Sequence, residues 1–96
     1  MAKYILSPNA QKSLKEIKEY SLETFGKRQT LIYLEELNDK MKYLAENPQR
    51  GKIRNNIKQG YYSAYQGSHI IFYLIKTDHI AIIDILHKSM ESALHL

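Results

Sequence analysis

A chain of 96 residues with a formal net charge of +4 and no cysteine is sized for one domain, residues 1–96. The missing thiols exclude a disulfide framework, a cysteine nucleophile and a thiolate metal ligand. No apolar run approaches the ~20 residues that span a bilayer, and the opening Met-Ala-Lys-Tyr-Ile-Leu-Ser lacks a long apolar signal region, so a cytoplasmic protein is expected.

Lys3 to Leu6 reads as a short strand. Ser7-Pro8 then reads as a helix start: serine accepts a backbone N–H at the N-cap, and proline fits the first turn, where its missing N–H has no partner to lose. Ala10, Leu14, Ile17, Ser21 and Phe25 recur at helical steps. Gly26 stands where a C-terminal cap belongs. A second helix is expected from about Lys27 to Glu46, with Leu31, Leu34, Leu37, Met41 and Leu44 as its apolar stripe and Tyr33 and Tyr43 flanking it. Asn47-Pro48 ends it, because the residue before proline disfavours helical geometry. A break this short predicts an antiparallel helical hairpin.

The period then changes to two. From Ile57 to Gln66 residues alternate, with Tyr61 and Tyr65 expected in the core and Tyr62 at the surface. Gly67-Ser68 is a turn, His69 to Ile75 is apolar on both faces, and Lys76 to His79 is another turn. Ile80 to Leu86 is a last apolar strand interrupted by Asp84, which is expected to pair with a lysine or face solvent. Three runs joined by short turns predict an antiparallel meander, and Lys88 to Leu96 a short helix or a frayed tail. The fold class expected is α+β: an N-terminal strand, a helical hairpin packed on an antiparallel sheet in the order β-α-α-β-β-β, and a short C-terminal helix.

Charge is uneven. Arg50, Lys52, Arg54 and Lys58 fall in one loop with no acidic residue among them. Such a stretch attracts phosphates or an acidic partner, or is simply a solvated loop. Tyr61, Tyr62 and Tyr65 lie beside it, and aromatics interleaved with cations suit single-stranded nucleic acid or a protein interface. His69 opens the most apolar strand, and His87-Lys88 closes the last one. The four histidines match no metal-ligand spacing, and neither metal nor cofactor is expected.

Several pieces together resemble the ParE branch of the RelE/ParE toxin superfamily. They are Tyr4-Leu6-Ser7 with Ala10 and Leu14, Phe25-Gly26, Leu44-Ala45-Glu46-Asn47-Pro48 with Gly51, Gly60-Tyr61, Gly67-Ser68-His69 with Ile71-Phe72-Tyr73, and Ile85-Leu86-His87 with Met90. The resemblance spans nearly the whole chain. It implies a type II toxin that inhibits DNA gyrase without being an enzyme. It also implies a ParD-like antitoxin that folds on the toxin, and a hetero-oligomer of the two on operator DNA. Partner or target contacts are expected among Arg50, Lys52, Arg54, Lys58, Tyr62, Tyr65, His69, His87 and Lys88. Tyr62 and Tyr65 stand where relatives often carry basic residues. An alternative is a RelE-like, ribosome-dependent mRNA endonuclease using Lys52, Arg54, Lys58 and His87. Against it, no arginine follows Arg54, and cleavage needs cations at the scissile phosphate. An inactive antitoxin-binding relative is a further alternative.

Overall fold

The computed structural model describes residues 3–90. A short strand, β1 (Tyr4–Leu6), leads into one helical element, α1 (Pro8–Glu46). Ser7 caps it as expected: its Oγ accepts from the Ala10 amide at 3.0 Å and donates to the Ile83 carbonyl at 2.6 Å. A 3₁₀ turn (Pro48–Arg50) follows, then β2 (Lys52–Ile53), β3 (Tyr61–Gln66), β4 (His69–Ile75) and β5 (Ile80–His87).

In place of two separate helices forming a hairpin, α1 is one element with a kink at Gly26, whose backbone (φ 85°, ψ 174°) is not helical. A straight helix of 39 residues would span about 58 Å, but the largest extent of the molecule is 37 Å. The element therefore bends, and both arms reach one core: Ala10 and Ile17 from the first arm cluster with Leu37, Met41, Leu44 and Ala45 from the second. Burying each large aliphatic side chain there contributes about 1.5–3 kcal/mol. Two expected stripe members point elsewhere, since Leu31 and Phe25 are mostly exposed and Thr30 is buried instead.

The sheet is mixed, not antiparallel, and runs β1-β5-β4-β3-β2. β1 pairs in parallel with β5, Tyr4 opposite Ile80, and the other pairs are antiparallel. The parallel pair needs no tight turn, because α1 and the intervening strands make the crossover. β4 is central, and Ile70, Ile71, Phe72 and Tyr73 are buried on alternate faces.

The faces of β3 are the reverse of the expectation. Tyr62 and Ala64 pack on the helix-side core, Tyr62 stacking on Tyr73 at 5.6 Å, while Tyr65 is about half exposed. Aromatics in both phases of this strand left the choice of face to its partner: Tyr62 lies opposite Tyr73 and Ala64 opposite Ile71, and those two belong to the core. Asp84 sits at a register slip, where Phe72 faces Asp84 but Tyr73 faces Ile82. It is half-buried and accepts from Ser13 Oγ at 2.5 Å, a serine where a lysine was one expected partner. The slip also explains why Ile80, Ile82 and Ile85 are the buried positions of β5. Beyond β5, Lys88 to Met90 form a single 3₁₀ turn, and the rest of the expected C-terminal helix lies outside the described residues.

Candidate functional site

The bend of α1 leaves a groove between the helical element and the far end of β4 and β5. It encloses about 670 Å³. Ile17, Tyr20, Phe25 and Met90 give it apolar walls, and Tyr33, His69 and His87 supply the polar groups. Tyr20 and Phe25 are more than 60% exposed yet pack edge to face, with ring centroids 6.4 Å apart. Aromatic side chains left in water beside a concavity mark contact surfaces more often than isolated exposed apolar residues do.

Tyr33 organises the groove. Its hydroxyl accepts from the Ser68 amide at 3.1 Å, donates to the Gln66 carbonyl at 3.1 Å and lies 2.5 Å from His69 Nδ1. It thereby fastens the β3–β4 turn to the second arm of α1. The turn needs Gly67 (φ 57°), and a Cβ there would stand 2.5 Å from the Tyr33 ring. Burial, with the Glu36 carboxylate adding to it, raises the Tyr33 pKa against the lowering effect of the Ser68 contact. His69 and His87 are direct cross-strand partners with rings edge to face at 5.5 Å. Burial first, and then the neighbouring His87, lower the His69 pKa below the ordinary 6.5, so His69 is neutral at physiological pH. A groove with aromatic walls and fixed hydrogen-bonding groups suits the apolar side chains of an amphipathic segment.

The other sequence candidates are dispersed. Arg54 is buried at 2% exposure, its Nη1 donating to Ser63 Oγ at 3.2 Å and its guanidinium lying 5.7 Å over the Phe72 ring. Arg50, Lys52 and Lys58 are exposed around it. Lys52 on β2 is three strands from β5, so it stands roughly 14 Å or more from His87 at the usual strand spacing. The set of Lys52, Arg54, Lys58 and His87 is therefore not gathered into one site. What the fold does gather is His69 with His87, and Tyr65 with Lys88, whose Nζ lies 5.1 Å over the ring. Tyr62 is turned inward. Tyr73, beside it, has its hydroxyl on the Pro48 carbonyl at 2.7 Å, and burial pushes its pKa up to about 12. Tyr20, Phe25, Tyr33 and Met90 were not among the sequence candidates. Tyr20 carried a signal, being an aromatic outside the apolar stripe of its helix.

Among the described residues no group of three or more His, Cys, Asp or Glu is placed to hold a metal ion, and no helix is long and apolar enough to cross a membrane.

The fold is shared with a solved structure described as the chromosomal ParDE TA system from P. aeruginosa. The TM-score is 0.76 at 17% identity, covering 91% of this chain and 96% of that one. The family model described as ParE toxin of type II toxin-antitoxin system, parDE, matches residues 4–92. The chain is 35% identical to Toxin ParE1 of Caulobacter vibrioides over 96 residues, all of this chain and 99% of the relative. It is 34% identical to Toxin ParE1 of Mycobacterium tuberculosis over 91 residues, 94% of this chain and 93% of that one. The chain thus belongs to the ParE toxin family of type II toxin–antitoxin systems.

Proposed function

We propose that this ParE-family protein inhibits DNA gyrase in the cytoplasm without making or breaking bonds itself, and that a ParD-like antitoxin silences it. The observation that carries the reading is the family match over residues 4–92. The groove supports the second half of it. An antitoxin segment that folds on its target loses entropy in ordering but can cover a large surface. Apolar side chains of such a segment fit between Tyr20, Phe25 and Met90, with Tyr33 and His69 beneath them. The antitoxin supplies the operator-DNA contacts of the resulting hetero-oligomer, and the toxin contacts gyrase through its remaining exposed cations, among them Arg50, Lys52, Lys58 and Lys88.

The test is plasmid supercoiling by purified gyrase with and without this protein. Loss of supercoiling with trapped linear DNA, reversed by the co-expressed antitoxin, is expected. Unimpaired supercoiling by folded protein would overturn the reading and turn attention to mRNA cleavage on ribosomes or to an inactive relative.

A further inference from the structure

Cations from separate parts of the chain meet at the end of the sheet opposite the groove. β4 runs from His69, at the groove, to Ile75, about 20 Å away at the rise of a strand. At that far end β4 finishes beside the starts of β1, β3 and β5, because Tyr4 lies opposite Ile80, Ile80 opposite Ile75, and Leu74 opposite Tyr61. Lys3 precedes β1, and its carbonyl accepts the Ile80 N–H at 3.0 Å. Lys58 precedes β3, and its carbonyl accepts the Tyr61 N–H at 3.1 Å. Lys76 opens the β4–β5 turn, and Lys52 lies on the adjoining edge strand β2. Lys42, near the end of α1, lines a cleft with Lys3, and Arg50 lines another with Ile75. Each of these cations is exposed, and none makes a salt bridge to a described residue. The acidic residues in the clefts at this end are Glu46 and Asp78, and His79 lies 2.7 Å from the Asp78 carboxylate.

We propose that this end of the sheet is a binding surface for the phosphate backbone of double-stranded DNA. Lysine predominates in it, and lysine is depleted at protein–protein interfaces, whereas protein–DNA interfaces are much more positively charged. An acidic protein surface is therefore the poorer fit. Cations without salt-bridge partners gain by displacing the counterions condensed on DNA, and that gain needs no base sequence. The dimensions agree. Across the five strands the row from Lys3 to Lys52 is roughly 19 Å wide at the usual strand spacing, a little more than half of the ~34 Å turn of B-form duplex. A duplex presents one charge per ~1.7 Å of its axis, so each long side chain finds a phosphate without one fixed register. In the gyrase reading, Arg50, Lys52 and Lys58 then meet the duplex that the enzyme holds. Only that placement rests on the gyrase reading. Binding to free duplex is a property of the isolated chain, so unimpaired supercoiling would count against that reading and not against this surface.

The experiment is fluorescence anisotropy of a labelled duplex of about 20 base pairs and arbitrary sequence, titrated with the full chain alone between about 50 and about 200 mM salt. Micromolar binding at the lower salt is expected, with log affinity falling against log salt at a slope of about −3 to −5. Lys52→Gln combined with Lys76→Gln should weaken binding about tenfold or more at the lower salt and make the slope shallower by about 2. Lys15→Gln combined with Lys18→Gln removes the same net charge from exposed positions on the first arm of α1. That variant should keep the slope and bind within about threefold of the unaltered protein. Absence of binding at the lower salt would overturn the proposal and leave these cations to an acidic protein partner. Equal losses in the two double variants would also overturn it, since they would report net charge and not a surface.

Discussion

The two flanks of the sheet use polar residues in opposite ways. On the β2–β3 side, Arg54 is sealed within the protein against Ser63 and Phe72, although its neighbours in sequence are solvated cations. On the β4–β5 side, His69 and His87 line an open groove, one in contact with the Tyr33 hydroxyl and the other with Ser89. A permanently charged side chain is structural here, and the weakly basic ones are presented. A count of positive charges along the chain suggests the reverse, because charge density says nothing about which side chain the sheet covers.

The comparison breaks most sharply at Arg54. Arg54→Met is expected to destabilise the fold by about 2–4 kcal/mol, since a buried cation and its partners are disrupted together. Lys52→Ala and Lys58→Ala should stay within about 0.5 kcal/mol. Urea unfolding separates these outcomes, and an Arg54 variant as stable as the lysine variants would end the distinction. Gly26→Ala comes next, at about 1–3 kcal/mol in the same assay, because the Gly26 dihedrals are essentially closed to other residues. Nothing lies within 4 Å of a Cβ at Gly26, so this cost is one of backbone conformation, not of crowding.

Effects on the groove side should appear in binding and leave stability nearly intact. Phe25→Ala, at an exposed position, is expected to weaken capture of the co-expressed antitoxin by about 1–2 kcal/mol, or roughly tenfold, as read by calorimetry. Unchanged affinity would remove Phe25 from the contact. The smallest effect is a pH dependence. The His69 pKa is lowered in the folded protein, so the unfolded chain binds more protons in the window just below the ordinary value of 6.5. The stability contribution of His69 is therefore present above that window and lost as pH falls through it. His69→Gln should flatten this part of the urea-midpoint profile, and a profile unchanged by the substitution would show that His69 is not responsible. In His87→Asn the His69 midpoint should rise, because the neighbouring charge that helps hold it down is gone.

Local signals in the sequence were reliable. The Ser7 cap, the break at Gly26, the helix end at Asn47-Pro48 and the doubly apolar β4 each depend on a few adjacent residues, and each is found where expected. Relations across the chain were less legible. The face of β3 was inverted because Tyr61, Tyr62 and Tyr65 occupy both phases, and a strand with aromatics on both sides does not declare its inner one. The burial of Arg54 depends on Ser63 and Phe72 arriving from two other strands. Of the site, His69 and His87 were visible as strand-end residues. The groove itself was not, because its aromatic wall exists only once Gly26 bends the helix and sets Tyr20 and Phe25 opposite the end of the sheet.

The pairing of β1 with β5 also governs the order of assembly. Tyr4 meets Ile80, and Ser7 is fastened to Ile82 and Ile83, so the sheet pairing of the beginning of the chain waits for β5. Such distant partners close a long loop before gaining any contact energy, which slows folding. A chain cut after β4 should lack a home for β1 and a floor for α1, and should collapse without a cooperative transition. Because Ile85, Leu86 and His87 of β5 line the groove, the groove is complete only once β5 has been made.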